Sequence, residues 1–207
     1  AKRQGHVPSH VFRHALRGYA APLSNRAVHA LRNNANVRFV QQDTEVKAVA
    51  QILPTGIDRI DADKNPQSKI DGLDERVDVD VAIVDTGIDA THPDLNVAGG
   101  INFTKGGAGA WNDQNGHGTH CAGTVGALDN DIGVVGVAPG ARLWAVRVLD
   151  RNGSGRTSWV VAGIDWVTAN ASTIEVANMS LGGAGSDDGN CGNTNNDAEH
   201  MAICAAV

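Results

Sequence analysis

The clearest apolar run is VDVAIVD at 79–85, nearly unbroken and closed by a carboxylate. A strand that reads this way is covered on both faces, as in a parallel sheet. ARLWAVRVLD (141–150) reads as a second such strand and IEVANMSL (174–181) as a third. Between the last two, SWVVAGIDWVTAN (158–170) places Val160, Val161, Ile164 and Val167 at helical spacing. Strand, helix, strand predicts an α/β domain whose parallel strands are joined by right-handed crossovers. In such sheets ligands sit beyond the carboxyl ends of the strands. That directs attention to Asp85, the 149–155 loop and the 180–183 loop.

The first part of the chain has a different rhythm. Residues 10–24 read as an extended stretch ending near Pro22. Ser24 suits the N-cap of a helix that carries Ala27, Val28 and Leu31 on one face. VRFVQQD (37–43) reads as a short strand. This makes a small α+β unit, uncomfortable alone at its size. The change to polar, turn-rich sequence after it places a boundary near 48–50. At the other end, Ala198, Met201, Ala202 and Ala205 form an apolar helical face with no cap after it. Together with the missing initiator Met, that pattern gives the expectation of a fragment.

Composition narrows the classes. With 207 residues and 42% hydrophobic positions, the chain can bury a core. A net charge of −6 without a basic run argues against nucleic acid as a partner. No stretch is long enough for a membrane helix. Cys191 and Cys204 flank a Gly/Asn-rich loop. A disulfide between them and a pair of unrelated thiols stay equally open.

The candidate chemistry is concentrated in NGHGTHCAGT (115–124). His117 and His120 could be a metal pair, parts of a helix start, or half of a catalytic dyad. A zinc pair usually spaces its histidines by four around a Glu. Here the spacing is three and no acid intervenes. A general base needs a carboxylate on one ring nitrogen and a nucleophile at the other. Asp85, followed by Thr86-Gly87 at a strand end, could be that carboxylate or merely cap a turn.

VAIVDTGIDATHPDL (81–95), NGHGTHCAGTVGA (115–127), GVAPGARLWAVRVLDRNGSGRTSWVVAGIDW (136–166) and ANMSLGG (177–183) resemble, in order and spacing, the subtilisin-like serine proteases. HALRGYAAPLS and VHALRNNANVRFVQQD, in residues 1–49, resemble part of that family's inhibitory propeptide, a ferredoxin-like α+β domain. The resemblance implies a subtilisin-like, mostly parallel sheet flanked by helices over 50–207. It implies Asp85 as orienting carboxylate, His117 as general base and His120 as structural support; Cys121, on the same helix, reads as a free, buried thiol. A peptide substrate would lie as a strand between Gly153-Ser154-Gly155 and Ser180-Leu181-Gly182. Leu149 and Leu181 would line an apolar subsite, more open than usual because Thr157 stands where a larger aromatic often does. Ca²⁺ would be held by Gln51, Asp94, the Asn130 side chain and the carbonyls of Leu128, Ile132 and Val134, a hard-oxygen set.

The family's oxyanion Asn and nucleophilic Ser follow the MSLGG segment. No serine of the 207 residues stands in the G-T-S-x-A context. These residues alone are therefore expected to lack peptidase activity. The expectation for the parent is a secreted, monomeric, calcium-stabilised serine endopeptidase made as a zymogen, with its propeptide as intramolecular inhibitor. The rival is a secreted inhibitor or binding module without catalysis.

Overall fold

The computed structural model describes residues 7–14, 16–43 and 51–207. The chain divides into two compact units, Ala1–Ala48 and Val49–Val207. The cut site expected near 48–50 lies outside the described residues.

In the first unit, β1 (His10–Phe12) and β2 (Gly18–Ala20) form an antiparallel pair with Val11 opposite Tyr19. The extended stretch read from sequence is therefore a hairpin. Helix α1 (Asn25–Arg32) begins where expected, because the Ser24 hydroxyl accepts from the Ala27 N–H at 3.3 Å and satisfies an orphan donor of the first turn. Leu31 is buried, with Ala27 and Val28 half-buried beside it. The strand expected over 37–43 is not formed. The segment has strand-like composition, but no ladder partner among the described residues pairs with it, and Phe39 is largely exposed.

The second unit holds a four-stranded parallel sheet of order β4-β5-β3-β6. The central strand is β3 (Asp80–Asp85), every residue of which is buried. It pairs along its length with β5 (Arg142–Arg147), Asp80 opposite Arg142 and Asp85 opposite Arg147. On its other side stands β6 (Val176–Asn178). The strand read over 174–181 shrinks to these three residues. It is paired on one side only among the described strands, and Val176 is half exposed.

Successive side chains of β3 point to opposite faces. Val81 and Ile83 pack on one face with Leu143, Ala145 and Ala122 of α3 (His117–Gly126). Ala82 and Val84 pack on the other with Val146, Val148 and Val160 and Ile164 of α4 (Thr157–Ala169). The strand β4 (Val97–Asn102) was not legible in the sequence, because VAGGIN carries two glycines. Those glycines admit the indoles beside them. A Cβ on Gly99 would lie 2.9 Å from the Trp144 ring, and one on Gly100 2.7 Å from that of Trp111.

The polar segment after residue 50 holds a short helix, α2 (Thr55–Arg59). At the far end, α5 (Ala198–Ala206) is capped by the Asp197 carboxylate, which accepts from the N–H groups of Glu199 and His200. Its packed face is corrected from the sequence reading. Ala202 and Ile203 lie against the α4-side core, while Ala198, Met201 and Ala205 are exposed. The disulfide between Cys191 and Cys204, with Cα atoms 5.9 Å apart, ties this helix to the 186–197 loop.

Candidate active site

Asp85 is the last residue of β3, so the strand delivers its carboxylate to the carboxyl edge of the sheet, fully buried. His117 is the first residue of α3. Its Nδ1–H donates to both Asp85 oxygens, at 2.8 and 2.9 Å. The ring is half exposed while the carboxylate has no exposure. One face of the imidazole is thus anchored in the protein and the rest reaches solvent.

Close approach of helix and strand makes this geometry possible. A Cβ on Gly118 would run into the Gly87 carbonyl and lie 3.1 Å from Asp85 Oδ1. Only glycine lets α3 seat this closely. The Thr86 N–H donates to Asp85 Oδ1 at 2.6 Å, so the carboxylate also has a backbone partner.

His120, one turn along, has no place in this pair. It is exposed and lines a separate cleft with Ile57, Leu95 and Val135. No zinc-like grouping of the two histidines forms. Among the described residues the one close cluster of His, Cys and acidic ligand atoms is Asp85, His117 and Cys121. Cys121 is free but only half-buried, which corrects the expectation of a buried thiol. Its Sγ lies 3.9 Å from His117 Nδ1, and burial pushes its thiol up. That holds it in the thiol form, a poor nucleophile.

The expected substrate segments flank this edge. Leu149 bridges Gly155 in antiparallel fashion, and a Cβ on Gly155 would strike Leu149 Cδ2 and the Val148 carbonyl at 2.6 Å. Gly153 has φ +73° and sits against Asn115, whose Nδ2 donates to the Arg151 carbonyl at 3.1 Å. The 149–155 loop is therefore tied to the start of α3. Ser154 is exposed, its N–H held by Asp150 Oδ1 at 3.1 Å. Ser180 accepts from Asn178 Nδ2 at 3.0 Å and lies beside the Cys121 thiol. Leu181 and Leu149 pack against the same buried cluster, and Gly182 faces open space. Thr157 opens α4 and is exposed.

The oxygen-rich residues also come together, at the other end of α3. Gln51 Nε2 donates to the carbonyls of both Leu128 and Val134, so these two oxygens converge on one donor. Asn130 Nδ2 donates to Asp94 Oδ1 at 2.9 Å, and the Val134 N–H to Asp94 Oδ2 at 3.2 Å. Gly133, at φ +63°, leaves the room a Cβ would take from Asp94. This donor set fits a hard cation, since turning the Gln51 amide over presents its oxygen beside the Leu128 and Val134 carbonyls and the Asp94 carboxylate stands nearby. The Ile132 N–H donates to Asn130 Oδ1 at 2.8 Å and its side chain is exposed.

Sequence reasoning missed Asp113 and Thr86. The Thr86 hydroxyl donates to Asp113 Oδ1 at 2.9 Å and accepts from the Gly118 N–H at 2.9 Å. The signal was present, since an Asp two to three residues before a Gly-led helix is a ready cap. Arg147 was missed as well. It is buried, and its guanidinium donates to the carbonyls of Ala110 and Asn112 and to Gln114 Oε1, fixing the loop before α3.

The model of the subtilase family matches residues 77–206, and that of peptidase inhibitor I9 matches residues 2–48. Subtilisin E of Bacillus subtilis (strain 168) is 45% identical over 164 residues, 79% of this chain and 42% of the relative. M-protease of Shouchella clausii is 45% identical over 160 residues, 77% of this chain and 40% of the relative. A thermostable alkaline protease of Halalkalibacterium halodurans is 44% identical over 162 residues, covering 78% and 42%. The chain spans about two fifths of the length of these relatives.

Proposed function

The chain belongs to the subtilase family, and from that premise we propose that the complete protein is a serine endopeptidase made as a zymogen. The observation that carries the reading is the buried Asp85 carboxylate bonded to Nδ1 of a half-exposed His117 at the carboxyl edge of a parallel sheet. Asp85 fixes the ring and its tautomer, leaving Nε2 free to act as base. A serine supplied outside these 207 residues attacks the scissile carbonyl. His117 takes its proton and later returns it to the leaving amine. Asp85 stabilises the imidazolium formed in between.

Substrate peptide adds as a strand between 153–155 and 180–182, where glycines let a foreign backbone come near. Leu149 and Leu181 line an apolar subsite beside Thr157. Residues 1–49, matched by the inhibitor model over 2–48, block this groove before processing. Gln51, Asp94 and Asn130, with the carbonyls of Leu128, Val134 and Ile132, hold Ca²⁺, which ties the loop after α3 to the start of the second unit. In this reading the protein acts outside the cell as a monomer. Among the described residues no helix is long and apolar enough to cross a membrane.

The test is to express the complete reading frame and treat the processed protein with a sulfonyl fluoride. The reading predicts loss of hydrolysis of a peptide anilide, with one labelled serine in a G-T-S-x-A segment. A frame without such a serine, or a protein that inhibits other proteases and hydrolyses nothing, supports the inhibitor reading instead.

A further inference from the structure

Asp85 and His117 belong to different elements, so their distance is set by whatever locks the end of β3 to the start of α3. The N-cap of α3 is Gly116, at φ 104°, with no side chain to offer. Asp113 takes over that role. Its Oδ1 accepts from the N–H groups of Asn115 (2.9 Å) and Gly116 (3.0 Å) and from the Thr86 hydroxyl (2.9 Å). Its Oδ2 accepts from the Thr119 N–H (3.0 Å) and hydroxyl (2.6 Å). Five donors thus meet on one carboxylate, four from α3 and its approach and one from the residue after Asp85.

The Thr86 contact is directional. A hydroxyl has a single proton. Because Thr86 gives it to Asp113, its lone pair is turned to the Gly118 N–H, the residue after His117. The path runs from Asp113 through Thr86 to both members of the pair, since the Thr86 N–H also bonds Asp85 Oδ1. Thr119 extends it by accepting from the Asp89 N–H at 3.0 Å.

We infer that Asp113 is a positioning residue for the reaction: through Thr86 it sets the distance and orientation of the Asp85–His117 pair. An amide at 113 keeps the shape but turns an NH₂ toward donors that need an acceptor. It also frees the Thr86 proton to point at Gly118. Helix and strand then lose their common lock and the imidazole drifts from its working angle. The inference rests on the peptidase reading only where turnover is its readout.

The experiment compares the complete protein with its Asp113→Asn, Thr86→Val and doubly substituted forms. Three quantities are measured: kcat and KM on a peptide anilide, the thermal midpoint, and the low-field proton resonance of His117 Nδ1–H. The expected result for Asp113→Asn is a kcat lower by about 10²-fold, the scale of a misplacement near 1 Å, with KM within about threefold. Thr86→Val falls in the same direction, and the double form is no worse than Asp113→Asn alone, because both act on one path. The His117 resonance moves in each variant. A kcat within twofold of the parent per folded molecule, with the resonance unmoved, overturns the inference and leaves Asp113 a helix cap. If Asp113→Asn does not fold, Thr86→Val decides on the same two readouts. A parent without turnover refutes the peptidase reading, and the resonance still decides the role of Asp113.

Discussion

Strand β3 carries a buried carboxylate at each end, and the two ends are put to different uses. Asp80, at the amino end, accepts from Arg142 Nε at 2.7 Å and from the Trp144 indole N–H at 2.7 Å. The Arg142 guanidinium, against the opposing effect of burial and with help from Trp144, holds its carboxyl below the usual range. Its own N–H donates to Glu175 at 2.8 Å, so it also pins the start of β6. Asp85, at the carboxyl end, is equally hidden but paired with an imidazole. A guanidinium keeps its charge at every working pH, so the Asp80 cluster can only be a fastening. An imidazole can take up a proton and give it back, so the Asp85 pair can move one. Burial alone separates neither role. The partner does.

The largest effect expected from breaking this contrast is at Asp85. Asp85→Asn in the complete protein should lower kcat about 10⁴-fold, the loss known for this change in a serine-protease triad, with little change in thermal midpoint. Next comes the spacing at the same end. Gly118→Ala puts a methyl against the Gly87 carbonyl and pushes α3 off β3, which should cost about 10²-fold in kcat/KM. Asp80→Ala should do the reverse of Asp85→Asn. It orphans the Trp144 indole and an Arg142 contact, costing about 2 kcal/mol of stability in denaturant unfolding, with turnover per folded molecule unchanged. A turnover loss in Asp80→Ala as large as that of Asp85→Asn would dissolve the distinction.

The smallest effect is in the acid limb. Burial would push the Asp113 carboxyl up, but bonds from the Gly116 N–H, the Thr119 hydroxyl, and the N–H groups of Asn115 and Thr119 outweigh it and hold it at about 2. The folded value lies below the ~3.9 of an unfolded Asp. The stability it contributes is therefore complete above about pH 4 and lost as pH falls toward 2. Asp113→Asn should flatten unfolding in that window and leave the slope above pH 5 unchanged.

The two ends also differ in how far the sequence exposed them. Asp85 and His117 stood out as candidates because each breaks a local pattern, an acid closing an apolar run and a histidine between glycines, and the family resemblance supplied their roles. Both central strands and α4 followed from apolar runs of the right length. The Thr86 arm of the lock was not legible, since Thr86 is a lone polar residue whose partners Asp113 and Gly118 stand 27 and 32 residues further along the chain. The same holds for Asp80 with Trp144 and for the buried Arg147. β4 was hidden by glycines whose purpose, room for two indoles, shows only when the neighbours are in place. Residues 37–43 failed in the opposite sense, with strand-like composition but no ladder partner among the described residues.

The central claim is that His117, and not the neighbouring His120, is the proton-moving group. The most direct measurement compares kcat of His117→Ala and His120→Ala in the complete, processed protein on one peptide substrate. The account predicts a loss of about 10⁶-fold for His117→Ala, the scale known for the base of subtilisin itself, and a change of only a few-fold for His120→Ala. Similar losses for both, or the larger loss at His120, would contradict it.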